Sequence, residues 1–181
     1  MRFVSRLLRN RNCILLLAIS LGLSLGKPLA TWTVPSVLPF IDIFTKEADI
    51  LLATELTAKL GCQFLYQSMR RRFDGHVYLL QTDGGPEFKA EFGSSVPFFC
   101  DRHRVARPYR KNEQSYIESF NRTVRKECLG WQNYRPDELA ECTQLVESFL
   151  ERYHYHRPHM SLNMTPPLVR KEVDCRIFTE N

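Results

Sequence analysis

Two carboxylates are placed where they could do chemistry. In LLQTDGGPEF an apolar run stops on Asp83 and two glycines follow, while Glu118 lies 34 intervening residues further on, in NEQSYIESFNRTVRKE. A carboxylate at a strand end and another on a helix face can share divalent cations, because Mg²⁺ takes carboxylate and water oxygens in near-octahedral geometry. Two such ions clamp the attacking and leaving oxygens of a phosphodiester during in-line displacement. Glycines after Asp83 would leave room for backbone and metal to approach. Spacing alone also fits a blander account, a strand-ending turn and a solvated helical glutamate.

The elements that must hold these residues can be read from periodicity. Apolar runs punctuated by Thr, Lys and Glu predict two antiparallel strands, about Val34 to Phe44 and Ala48 to Glu55. Thr57 is placed to cap a helix with Leu60, Phe64, Leu65 and Met69 on one face, and His76 to Thr82 reads as a short strand ending at Asp83. The stretch EFKAEFGSSVPFFCDRH reads as helix in two pieces around Pro97, followed by a short extended RVARPYR. From Asn112 a helix is expected with Ile117, Phe120 and Val124 on one side and a wholly polar face of Gln114, Glu118, Asn121, Arg122 and Arg125 on another. A second helix starts at Pro136 with the stripe Leu139, Leu145, Val146, Phe149, Leu150 and Tyr153, and the proline-punctuated tail after it reads as irregular.

A chain of 181 residues with 44% hydrophobic residues has material for one domain with a real core. Its net charge of +5 comes entirely from residues 1 to 41, which hold five bases and no acid; the other 140 residues balance. Nucleic-acid affinity would therefore rest on local clustering, and one basic cluster exists: Arg102, His103, Arg104, Arg107, Arg110 and Lys111, with Arg122, Arg125 and Lys126 beyond it. Six scattered cysteines show no metal-ligand spacing and read as reduced thiols of a cytoplasmic protein.

The first thirty residues stand apart, with a basic start, an apolar stretch from Cys13 to Leu25 and small residues near Ala30. A secretory signal, giving an exported or membrane-associated protein, fits this outline. A buried strand CILLLAISL and a displaced reading frame fit it as well.

The segments QTDGGPEF, FFCDRHRVARPYRKNEQSYIESFNRTVRKECLGW and YHYHRPHMSLNMTPP resemble the catalytic core of insertion-sequence transposases of the retroviral-integrase (DDE) superfamily, from about Trp32 to Val169. That resemblance implies an α/β, RNase H-like mixed sheet flanked by helices, and an Asp, Asp, Glu triad binding Mg²⁺ or Mn²⁺. Asp83 matches the second acid and Glu118 the third, at a spacing one residue shorter than the commonest. The family holds DNA ends on the face of the Glu118 helix, which carries Gln114, Asn121, Arg122 and Arg125 over to this chain as DNA-binding residues. His103 and Arg107 match its H..ARPY segment. The implied partners are DNA, as transposon ends and target, and a second copy of the chain, with no small-molecule substrate. His154, His156 and His159 invite a metal reading, but the family carries a similar tail packed on its core, so a structural role is expected.

One part of the pattern is missing. The first acid should stand on the first strand, roughly sixty residues before Asp83, yet no Asp or Glu precedes Asp42. Asp42 matches a family position on the second strand that is not a metal ligand. The family's upstream helix-turn-helix region is absent too, and its Asp-Asn-Gly is here Asp83-Gly84-Gly85. The expected organisation is a non-family segment over 1–31, an integrase-like core over 32–169 with its first strand missing or replaced, and a tail over 170–181. Two carboxylates under-hold a two-ion site, so strand transfer is expected to be lost or severely reduced.

Overall fold

The computed structural model of the protein describes residues 14–17, 36–107, 115–132 and 134–179. Alternating apolar residues form β2 (Ser36–Asp42) and β3 (Ala48–Ala53), an antiparallel pair in register from Ser36 opposite Ala53 to Ile41 opposite Ala48. Alternation sends Val37 and Ile41 into one core and Leu38 and Phe40 into another, on opposite faces of the sheet. Thr57 does cap a helix, α1 (Ala58–Arg71): its Oγ1 accepts the N–H of Leu60 at 3.2 Å. Phe64, Leu65 and Met69 are buried against Leu38, Phe40 and Leu80.

Among the described residues five strands make the sheet, in the order β3-β2-β1-β4-β5. The central strand β1 (Ile14–Leu17) pairs antiparallel with β2 and parallel with β4 (Val77–Thr82). It falls inside CILLLAISL, so the strand reading holds for these four residues. The first strand of the sheet is thus present, and its sequence is ILLL.

The last strand corrects the sequence reading. Cys100–His103, expected to continue a helix, and Arg104–Val105, expected to be extended, together form β5 (Cys100–Val105), parallel to β4 with Leu79 beside Arg102 and Gln81 beside Arg104. Pro97 does divide the preceding stretch, into the short helix α2 (Ala90–Ser95) and a 3₁₀ turn over Val96–Phe98.

On the other face, α3 (Ser115–Val124) packs across β1 and β2, and α4 (Leu139–Tyr155) packs on β3. Ile117, Phe120 and Val124 meet Val146, Phe149, Leu150 and Tyr153 there. Within the expected α4 stripe Leu145 is half exposed and Cys142 is buried in its place. The tail, expected to be irregular, instead forms α5 (Pro167–Thr179), which crosses the boundary placed at 169. Lys171 on α5 reaches Glu47 at 3.0 Å and Asp74 at 3.2 Å, tying the helix to two distant turns. Among the described residues no helix is long and apolar enough to cross a membrane, and the described cysteines are free thiols.

Candidate metal centre and nucleic-acid interface

Asp83 follows directly on β4. Its Oδ1 accepts the N–H of Gly85 at 2.9 Å, closing a tight Asx turn. Gly84 within that turn has φ +84°, and a Cβ there would stand 2.8 Å from Cγ1 of Val105. The glycine is therefore required by left-handed backbone and by the close passage of β5, not by room for an ion. Sequence reasoning missed the neighbours that hold this turn: Thr82 carbonyl accepts the N–H of Ala106 at 2.7 Å, and Thr82 Oγ1 lies 3.1 Å from His103 Nε2. Both contacts fasten β5 to the residue before Asp83. Burial pushes the His103 imidazole below its ordinary range, which keeps it neutral near pH 7.

Register settles which face Asp83 occupies. Ile41, position 16 and Gln81 stand side by side across β2, β1 and β4, and Ile41 packs in the core that α3 covers. Asp83 lies just past the end of that strand, two residues beyond Gln81 and continuing from that face into its turn. Glu118 is exposed, in the first turn of α3. Asp83 and Glu118 thus sit on elements that flank β1 on one side of the sheet.

The strand between them supplies no third acid. Asp42 cannot take that role: it lies level with Leu15, which is level with Leu80. Two strand spacings and three residues separate it from Asp83, about 14 Å between Cα atoms. It also shares the alternation of Leu38 and Phe40, whose side chains fill the opposite core. Its carboxylate is already used, since Oδ1 accepts the N–H of Phe44 at 2.8 Å while the Asp42 backbone closes the β2–β3 turn with Lys46 and Glu47. No group of three His, Cys, Asp or Glu able to hold a metal occurs among the described residues. One oxygen of Asp83 engaged in its own turn and one exposed glutamate do not fit a two-ion site.

The expected DNA face is not uniformly presented. Arg122 and Arg107 are exposed, and His103 is exposed at its outer edge. Asn121 and Arg125 are buried, at 8% and 7% exposure. After Val124 the helix widens into a π-helical turn over Arg125–Leu129, which turns Arg125 inward, its Nη1 donating a long 3.5 Å hydrogen bond to the Gly130 carbonyl. Burial lowers the pKa of that guanidinium, though not enough to discharge it. Gln114 lies outside the described residues. His154 and His159 serve the core: His154 Nε2 accepts the N–H of Ala48, and His159 stacks edge-on against Tyr153 at 4.8 Å.

Comparison with known proteins agrees with this architecture. The family model described as Integrase core domain matches residues 101–167. The chain is 30% identical over 132 residues to the insertion element IS476 uncharacterized 39.2 kDa protein of Xanthomonas euvesicatoria, across 72% of this chain and 37% of that one. It is 27% identical over 161 residues to the insertion element IS407 uncharacterized 31.7 kDa protein of Burkholderia multivorans, across 78% of this chain and 55% of that one. The chain thus spans about half or less of the length of these relatives. Its fold is that of the catalytic core domain of BIV integrase, with a TM-score of 0.57 at 13% identity over 92% of this chain and 99% of that one. A chain of the simian T-cell lymphotropic virus intasome, in complex with PP2A regulatory subunit B56 gamma, matches at a TM-score of 0.61 and 13% identity, over 82% of this chain and 50% of that one. The fold is the RNase H-like integrase core. The family-model match, the insertion-element relatives and the fold all point to one likeness, to integrase core domains.

Proposed function

We propose that this chain is a DNA-binding protein built on a transposase core, in which metal-dependent cleavage and strand transfer are lost or severely reduced. The observation that carries this reading is the composition of β1: the strand beside Asp83 and beneath α3 is ILLL and brings no carboxylate to the Asp83–Glu118 pair. Asp83 and Glu118 alone would under-hold a pair of Mg²⁺ or Mn²⁺ ions. What survives is cationic. Arg122 and Arg107 offer phosphate contacts that supply affinity rather than sequence specificity, with His103 at the Asp83 turn as a neutral hydrogen-bonding group. The partners are transposon ends and target DNA, with a second copy of the chain to bring two ends together, in the cytoplasm.

The test is Mn²⁺-dependent nicking and strand joining on a branched DNA substrate, for the protein and for Glu118→Gln. Both are expected to be folded, to bind the DNA and to leave it intact. Activity in the protein that disappears in Glu118→Gln would overturn the loss and require a third ligand from residues outside those described.

A further inference from the structure

Glu87 takes no part in that reading, and its surroundings are unusual for an acid. The residue is only 7% exposed, yet its carboxylate makes no hydrogen bond or ion pair among the described residues. A buried carboxylate without a partner is costly, so one that persists in a fold calls for a counterpart. The carboxylate lies over Gly85, where a Cβ would stand 2.5 Å from Glu87 Oε2 and 2.7 Å from Oε1. Gly85 has an ordinary φ of −54°, so backbone conformation does not demand a glycine there. The place a side chain would fill is taken by Glu87 instead.

Asp83 reaches the same glycine, its Oδ1 accepting the Gly85 N–H at 2.9 Å. At φ −54° the Cα–Cβ direction nearly eclipses the N–H bond, so Asp83 Oδ1 and the Glu87 carboxylate stand on one side of Gly85. Standard bond lengths then put the two within about 6 Å of each other. Among the described residues no lysine or arginine pairs with either acid. Two like charges are thus held close together, one of them buried.

We propose that Asp83 and Glu87 together bind a single hydrated divalent cation of the Mg²⁺ class at the end of β4. Such ions keep several waters and take one or two carboxylates, so this pair is a sufficient protein contribution. The ion would offset the repulsion between the acids and give Glu87 its missing partner. Asp83 Oδ1 is held by Gly85, which leaves Oδ2 for the ion. Both ligands come from the stretch Asp83–Glu87, and no residue of β1 or α3 is needed. The site does not restore a two-ion arrangement and stands apart from the DNA-binding reading. It competes with one plain alternative, that an ordered water fills the place between the carboxylates.

The experiment titrates the full chain with Mn²⁺ and follows the free ion by its EPR signal. The parent should bind a single Mn²⁺ weakly, and excess Mg²⁺ should displace it. Glu87→Gln should weaken binding by at least about tenfold, since even a group behind a metal ligand costs that much when lost. Gly85→Ala should weaken it too, because the methyl group displaces the Glu87 carboxylate at a backbone angle alanine readily adopts. Glu91→Gln, which removes an exposed acid on α2, should bind as the parent does. Thermal melts without metal identify any variant that fails to fold, and the Gly85 and Glu87 variants reach the same loss independently. A parent without saturable Mn²⁺ binding overturns the site in favour of water, and parental affinity in folded Glu87→Gln overturns it as well. Weakening by Glu118→Gln but not by Glu87→Gln would put the ion between Asp83 and α3, and so overturn it too. DNA binding measured without metal judges the DNA-binding reading separately.

Discussion

His154 Nε2 accepts the backbone N–H of Ala48 at 3.0 Å in a fully buried contact, so a helix side chain completes the first residue of strand β3. An imidazole that accepts at Nε2 must be neutral there, with its proton on Nδ1. Burial, helped by the nearby Arg72, pushes its pKa down to about 4. The unfolded chain takes a proton near pH 6.5 and the folded one does not until about pH 4. Stability is therefore fully present above about pH 6.5 and is lost as pH falls toward 4. The loss is on the order of 3 kcal/mol. His159, also lowered to about 4, adds to it in the same direction. Urea unfolding across this range checks the slope, and His154→Gln, which keeps an acceptor, should flatten it.

Asp49 is wholly buried on β3 and accepts from Ser68 Oγ at 2.6 Å and from Arg71 Nε and Nη2 at 2.7 and 2.5 Å. Arg71→Ala would leave that carboxylate with only the Ser68 hydroxyl and the Ile50 N–H, and no countercharge. An uncompensated buried charge is costly, so a loss of roughly 3 kcal/mol is expected in chemical denaturation. Asp49→Asn in the same background should recover part of it, because the charge itself is then gone.

These two interactions show what sequence could and could not reveal. The Thr57 cap, the β2–β3 pair and the Phe64, Leu65, Met69 face were legible because each is encoded within a few residues. Strand β5 was not: paired on one side and wet on both faces, DRHRV has no apolar alternation to read. The inward turn of Arg125 was hidden because a π-helical turn shifts the register after Val124, moving a residue that 3.6-residue spacing assigns to the polar face. Helix α5 lacks a coherent apolar stripe, and the prolines before it read as irregular structure although Pro167 is its first residue. Asp83 and Glu118 stood out through resemblance, whereas Thr82 and Ala106, which hold the turn, carry no signal short of the tertiary structure.

Gly84→Ala should disturb the Asp83 turn from two sides. A Cβ at φ +84° is strained, and it would press on Val105 at 2.8 Å. A loss of about 1 to 3 kcal/mol is expected. Val105→Ala in the same chain should relieve the contact but not the backbone strain, so a thermal melt of the double variant should recover only part of the loss.

Leu16→Asp tests the missing ligand directly. Position 16 is beside Gln81, on the register that leads to Asp83. A carboxylate placed in the central strand should lower Tm, and Mn²⁺ should raise Tm in this variant far more than in the parent, because an ion bound only by the folded state stabilises it by mass action. Equal Mn²⁺ shifts in parent and variant would show that the strand does not face the two acids.

The ladder that makes ILLL the middle of the sheet is formed by peptide groups, and peptide groups are the same for every sequence. Architecture at β1 is therefore indifferent to the very side chains on which catalysis would depend. A lineage carrying such a strand could shed its chemistry in one replacement and keep the pairing of its sheet.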